Sequence, residues 1–218
     1  ALTVEQPEVA DLWSDLGQSW RIQEQYFKSF PVCRWAQPPV RAILDLRAEH
    51  GLSAEQVERI EITTFHQSKR LATRRPRSTE EAQYSTSFPA AVAMVRRTVR
   101  PEDIDGDALQ DPEILRLSEG MKTEESEDYN AAFPARRFAH AALVLRDGRR
   151  LTSPRTEASG DPENPTPESE VRDKFRAWSA PTLDGVRITA IETAVDDLAG
   201  TSLSPLSDLI LTAPEDMQ

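Results

Sequence analysis

The segment from Tyr26 to Pro39 limits the fold most strongly, because it fixes where an extended chain turns into a helix. Pro38 and Pro39 suit the first turn of a helix, where a missing N–H leaves no hydrogen bond unmade. An apolar stripe at helical spacing follows, at Val40, Ile43, Leu44 and Leu46. Gly51 is a typical residue at the end of a helix. The pattern predicts an extended segment that runs into a helix over residues 38–50.

The same segment places candidate chemistry at the start of this helix. Lys28 lies between aromatic residues, and Cys33 to Gln37 lead into the first turn. Free backbone N–H groups and the helix dipole favour an anion at such an end. These residues alone leave two interpretations open. Lys28 is either a solvated lysine or an anion-binding group, and Cys33 is either a buried structural thiol or a nucleophile.

Charge and composition limit the possible partners. The chain has 218 residues, which suits one large domain or a domain with added helices. Its formal net charge of -11 argues against nucleic acids and anionic membranes. No apolar run approaches the roughly 18 residues of a membrane span, and the N-terminus lacks a signal-peptide pattern. We therefore expect a cytoplasmic protein that binds neither nucleic acid nor membrane.

Sequence motifs for metal, nucleotide or hydrolytic chemistry are absent. The single cysteine excludes an intrachain disulfide and a cysteine-rich metal site. His50, His66 and His140 are isolated, so no histidine pair has the spacing of metal ligands. The glycines are too scattered to form a phosphate-binding loop. We expect no metal site, and local motifs alone indicate only an acidic α+β domain.

Hydrophobic periodicity and turn residues predict alternating helices and strands. The predicted helices cover residues 6–17, 38–50, 90–98, part of 105–120, a stretch from Thr166 or Ser169 to Trp178, 185–198 and 205–211. A strand is predicted over 57–64, and a β-hairpin over 138–158 around Asp147 and Gly148. This order predicts a two-layer α+β domain with a mainly antiparallel sheet, flanked by terminal helices that pack elsewhere.

Five segments, taken in order, resemble the MmgE/PrpD family. They are Phe27–Cys33 with Gln37 at the helix start, Val57–Thr64, Ala82–Ala93, Phe133–Arg149 and Gly160–Phe175. The first resembles the family's lysine–proline–cysteine signature. The third resembles its helix start, in which an aromatic residue precedes a serine. The fifth resembles its proline-rich loop and the Lys-Phe pair that follows. Taken together, the five segments make a resemblance over residues 20–200.

The resemblance implies a fold and a reaction class. Family members include 2-methylcitrate dehydratases, cis-aconitate decarboxylases and iminodisuccinate epimerases, which act on small di- or tricarboxylates without a redox cofactor. They pair an all-helical domain with a smaller α+β lid domain, and the active site lies between the two. The chain resembles the lid half: an N-terminal helical segment (1–19), the lid domain (20–180) and C-terminal helices (181–218) that pack on the helical domain.

The missing helical half has consequences for activity and assembly. Because the family's catalytic Asp and His residues belong to that half, we expect the chain to be inactive alone. We expect a homo- or hetero-oligomer, completed by a helical-domain partner chain or by a missing N-terminal half. We also expect no cofactor and a small di- or tricarboxylate as substrate.

The resemblance also assigns site residues. Lys28 falls on the lid lysine that binds a substrate carboxylate or assists proton transfer, and a lysine supplies a point charge for a carboxylate. Gln37, Ser85 and Phe88 are expected to contact the substrate. Gln37 and Phe88 stand where members often carry histidine and tyrosine, and Arg41 stands where many carry an acidic residue. Two functions stay open: the lid of a lyase or isomerase, or an inactive structural or regulatory partner.

Overall fold

The computed structural model describes residues 13–212. Most of the predicted segment 1–19, including most of the helix predicted for residues 6–17, lies outside the described residues. None of the helices in residues 13–212 is long and apolar enough to cross a membrane. The domain boundaries at residues 20 and 180 stay predictions.

A four-stranded sheet in the order β2-β1-β3-β4 forms one layer of the fold. Its strands are β1 (Val57–Thr64), β2 (Lys122–Glu125), β3 (His140–Leu145) and β4 (Arg150–Thr152). β1 pairs in parallel with β2 and antiparallel with β3, and β3 forms a hairpin with β4. Gly148 lies in the hairpin turn with a φ of 89°, in the left-handed region. The predicted hairpin and the mainly antiparallel sheet are confirmed.

Helices form the second layer and the C-terminal part of the described chain. The α-helices in residues 13–212 are α1 (Gln37–His50), α2 (His66–Lys69), α3 (Thr79–Gln83), α4 (Ser87–Arg96), α5 (Pro112–Glu119), α6 (Glu127–Ala132), α7 (Glu168–Ser179), α8 (Gly185–Asp196) and α9 (Ser204–Leu211). Short 3-10 helices lie between several of them, and one of these, Arg34–Ala36, leads directly into α1.

Predicted capping residues occupy the expected positions. Gly51 follows α1 with a φ of 61°, where its N–H donates to a carbonyl of the last turn. Ser53 and Gln56 form the predicted capping box before β1. Asp111 caps α5, because its carboxylate accepts two backbone N–H groups of the first turn. These ends position α1 and α5 against the sheet.

The core lies between the sheet and helices α1, α4 and α5. Its largest fully buried side chains include Ile43, Leu46, Ile60, Ile62, Phe88, Ile114 and Leu143. The opposite face of β1, away from this core, carries Glu61, which forms ion pairs with Arg59 and Arg150. By contrast, α7 buries no residue, and α8 packs mainly on α9. The C-terminal helices therefore flank the two-layer core, as the sequence predicted.

Candidate functional site

Gln37 fixes the segment that contains Lys28 onto the start of α1. Its side chain is fully buried. Oε1 accepts the N–H of Phe30 at 3.1 Å, and Nε2 donates to the carbonyl oxygens of Phe30 at 2.9 Å and Val32 at 3.1 Å. Three backbone groups of an irregular segment are thereby satisfied inside the protein, where unpaired polar groups are costly.

Two further contacts fix the same segment from opposite sides. The N–H of Cys33 donates to the carbonyl of Gln83 at 2.8 Å, at the end of α3. The N–H of Phe27 donates to the carbonyl of Gly160 at 3.0 Å, in the proline-rich loop before α7. Gly160 has a φ of 124°, and a Cβ there would lie 2.1 Å from the carbonyl oxygen of Phe27. Only glycine permits this close approach of two backbones.

Lys174 of α7 touches the backbone of Lys28 itself. Its Nζ donates to the Lys28 carbonyl oxygen at 2.6 Å and lies 4.2 Å from the ring centre of Trp178. Burial lowers the pKa of Lys174, and the positive charge of Lys28 lowers it further. Two lysines therefore lie close enough to repel each other, although they are far apart in sequence.

A surface cavity of about 240 Å³ lies where this segment, α1 and α7 meet. Its lining includes Phe27, Lys28, Ser29, Phe30, Arg41, Thr166, Glu170, Val171, Asp173 and Lys174. Three of these side chains are basic: Lys28, Arg41 and Lys174. Arg41 has only long ion pairs, at 3.9 Å, with Asp45 and Glu170. Lys28 is exposed and forms no ion pair within residues 13–212. The arrangement is suited to a small anion with more than one acidic group.

The structure separates the four predicted site residues. Lys28 lines the cavity, whereas Gln37, Ser85 and Phe88 do not. Ser85 is buried, and its Oγ donates to the carbonyl of Thr73 and accepts the N–H of Phe88 at 2.9 Å. This hydrogen bond explains why α4 begins at Ser87 rather than at the predicted Ala90. Phe88 is fully buried in the core.

Substrate contacts by Gln37, Ser85 and Phe88 stay predictions. In this structure the three side chains support backbone and core, and a substrate would have to replace their present contacts. Conversely, Arg41 and Lys174 line the cavity but were not among the site residues expected from the sequence. Lys174 belongs to the Lys-Phe pair of the family resemblance. This pair is the sequence feature that could have identified Lys174 as a candidate site residue.

Comparison with known proteins gives one family. A family model described as the MmgE/PrpD C-terminal domain matches residues 30–198, which is more than half of the chain. The chain belongs to the MmgE/PrpD family. A search of curated proteins found no significant match. The MmgE/PrpD match begins just after Lys28, so the role expected for Lys28 rests on the neighbouring residues of the signature and on the cavity.

Proposed function

We propose that this chain is the lid part of a cofactor-independent lyase or isomerase for a small di- or tricarboxylic acid. The reaction would be a dehydration, a decarboxylation or an epimerisation. The observation that supports this function is the position of Lys28 beside Arg41 and Lys174 in one cavity of an MmgE/PrpD C-terminal domain. In the proposal, Lys28 binds a substrate carboxylate.

Local charge favours an acidic ligand in spite of the global charge. The chain has a net charge of -11, which repels polycarboxylates at long range. Burial lowers the pKa of Lys174, and repulsion from the nearby charge of Lys28 lowers it further. A carboxylate placed between Lys28, Arg41 and Lys174 would relieve that repulsion and form charge-assisted hydrogen bonds. The cavity therefore supplies a local attraction that opposes the long-range repulsion.

A second chain or domain is part of the proposal. A cavity of about 240 Å³ is smaller than the roughly 300–1,000 Å³ typical of ligand pockets. Its carboxylates, Glu170 and Asp173, lie on the exposed surface of α7. We propose that a helical-domain partner chain, or the N-terminal half of a longer chain, closes the cavity and supplies the general base. Co-purification with such a partner as a homo- or hetero-oligomer tests this part.

Replacement of Lys28 by alanine in the assembled enzyme tests the site. Loss of one charge-assisted contact costs about 1.5–3 kcal/mol, so kcat/KM is expected to fall roughly 10- to 150-fold. Steady-state kinetics with di- and tricarboxylates measure the change. Lys122→Ala is the matched control, because Lys122 is an exposed lysine on β2 and does not line this cavity. A wild-type kcat/KM in Lys28→Ala would exclude Lys28 from the site.

A second function is favoured by a specific observation. Gln37 and Phe88, which stand where the family resemblance places histidine and tyrosine, both serve internal packing here. An inactive structural or regulatory partner has no need of proton-transfer groups at these places. Thermal unfolding of the complex with citrate, aconitate, tartrate and aspartate distinguishes the two functions. A rise in Tm that Lys28→Ala removes supports the enzyme, and no rise with any of these ligands supports the inactive partner.

A further inference from the structure

A second, larger cavity lies at the C-terminal end of α1, whereas Lys28 precedes the N-terminal end of this helix. Its volume is about 480 Å³, within the usual range of small-molecule pockets. The charged residues of its lining are Arg41, Asp45, Arg47 and Arg97. Three arginines face one aspartate, so the lining has an excess of positive charge.

Arg47 is a buried cation that has no partner among residues 13–212. The residue is only 7% exposed, and its Nη1 atom is buried and forms no hydrogen bond within this part of the chain. Within residues 13–212, its guanidinium forms no ion pair with a carboxylate. Burial lowers the pKa of Arg47, and the charge of Arg97 lowers it further. Because a guanidinium stays protonated in proteins, this charge persists and needs compensation.

The chain supplies only part of that compensation. Arg47 lies in the last turn of α1, where the helix dipole favours a cation. The negative charge of Glu55 also acts on it, without direct contact. Asp45 is the carboxylate of the cavity, but it lies 3.9 Å from Arg41, and its own burial raises its pKa. Arg47 and Arg97 therefore share no acidic partner.

Arg97 occupies a position that normally belongs to glycine. It follows α4 with a φ of 68°, and it is the one non-glycine residue with positive φ in residues 13–212. Glycine is the usual residue at such a helix end. Arg97 is exposed and forms no ion pair within the described part of the chain. Its side chain adds a second free guanidinium to the cavity of Arg47.

We propose that this cavity binds a small oxyanion, of phosphate or carboxylate type, between Arg47 and Arg97. Planar guanidinium groups bind both kinds of anion through paired hydrogen bonds. A bound oxyanion would satisfy the buried charge of Arg47 and would reduce its repulsion from Arg97. The proposal does not depend on the reaction proposed above. Arg41 lines both cavities, but neither Arg47 nor Arg97 lines the cavity of Lys28.

Thermal unfolding of the 218-residue chain tests this site. Inorganic phosphate serves as the probe, with sodium chloride at the same ionic strength as the reference. At ten times Kd, a single-site anion is expected to raise Tm by about 3–6 °C. We expect Arg97→Gly and Arg47→Met to lose this rise. Lys28→Ala and Arg77→Gln should keep it, because Lys28 lies in the other cavity and Arg77 is an exposed arginine that lines neither.

The two arginine variants have different effects on the anion-free chain. Arg97→Gly suits the φ of 68° and is expected to fold. Arg47→Met replaces a buried unpaired charge by an apolar side chain, so its Tm without anion is expected to equal or exceed that of the wild type. If Arg47→Met does not fold, the proposal is tested by whether Arg97→Gly loses the Tm rise with anion.

Three results would overturn the proposal. One is a Tm rise that Arg97→Gly and Arg47→Met retain, or that Arg77→Gln loses to the same extent. The second is no rise with phosphate; weaker binding of a partner chain by Arg47→Met would then assign the cavity to a carboxylate of the partner. The third is loss of the rise in Lys28→Ala alone, which would place the anion at the site proposed for the substrate.

Discussion

Gln37→Glu is expected to destabilise the chain by about 3–5 kcal/mol at pH 8, although the change replaces one NH₂ group by one oxygen. In the wild type, Nε2 donates to the carbonyl oxygens of Phe30 and Val32. A carboxylate has no donor, so it would leave both carbonyls unpaired and bring a negative charge against them. The fully buried position of residue 37 gives that charge no access to solvent.

The effect should depend on pH in a defined direction. Burial next to carbonyl oxygens raises the pKa of the new carboxyl group in the folded state above the unfolded value of about 4.3. Between these two pKa values, the folded state holds a proton that the unfolded state has released. The free energy of unfolding of the variant therefore falls as pH rises through this window. Below pH 4 the group is protonated in both states, and the ionisation penalty disappears.

Urea unfolding of both proteins at pH 4 and pH 8 measures this difference. Gln56→Glu is the matched control, because Gln56 is exposed and its Oε1 only accepts the N–H of Ser53 at 2.9 Å. A carboxylate can fulfil that role, so the control should keep wild-type stability at both pH values. Wild-type stability of Gln37→Glu at pH 8 would show that the Gln37 amide does not support the Lys28 segment.

Gly160→Ala is expected to lower the free energy of unfolding by roughly 2–4 kcal/mol. A φ of 124° is unfavourable for any residue with a Cβ, and the added atom would lie 2.1 Å from the Phe27 carbonyl oxygen and 2.8 Å from Cε2 of Tyr26. The loop must therefore separate from the segment next to Lys28. The hydrogen bond from Phe27 N–H to the Gly160 carbonyl would be lost with it.

Gly148→Ala separates backbone strain from steric contact. Gly148 also has a positive φ, of 89°, but no atom lies within 4 Å of a Cβ built there. We expect it to cost only about 1 kcal/mol, from the backbone conformation. Thermal unfolding of both variants gives the comparison, and equal losses would contradict the close approach between Gly160 and Phe27. In the enzyme proposed above, Gly160→Ala should also reduce activity, whereas Gly148→Ala should not.

The sequence predicted those parts of the fold that are marked by capping residues, turn residues and apolar periodicity within one short segment. The helix from Gln37 to His50 has prolines at its start, an apolar stripe and Gly51 at its end. The hairpin around Gly148 has alternating apolar residues and a favoured turn pair. By contrast, β2 was not predicted, because Lys122–Glu125 has no apolar alternation and leaves its side chains largely exposed. Its pairing with β1 depends on backbone hydrogen bonds, which composition does not reveal.

The same distinction applies to the candidate site. Lys28 was found through a local signature. The role of Gln37 depends on backbone atoms of Phe30 and Val32, and no residue type identifies such partners. Arg41 and Lys174 reach the cavity because α1 and α7 converge on it, and that convergence is a tertiary property. In the sequence, Arg47 resembles an ordinary surface arginine of an amphipathic helix. Only the fold shows that it is buried without a partner among the described residues.

The hydrogen bond from Lys174 to the carbonyl of Lys28 joins residues that are 146 positions apart. The contact between Phe27 and Gly160 spans a similar length of chain. Contacts of such long range close large loops and add to the contact order of the fold. The backbone that presents Lys28 is therefore complete only when nearly the whole domain is assembled. A break in the chain between these residues would leave the position of Lys28 dependent on how well two fragments reassociate.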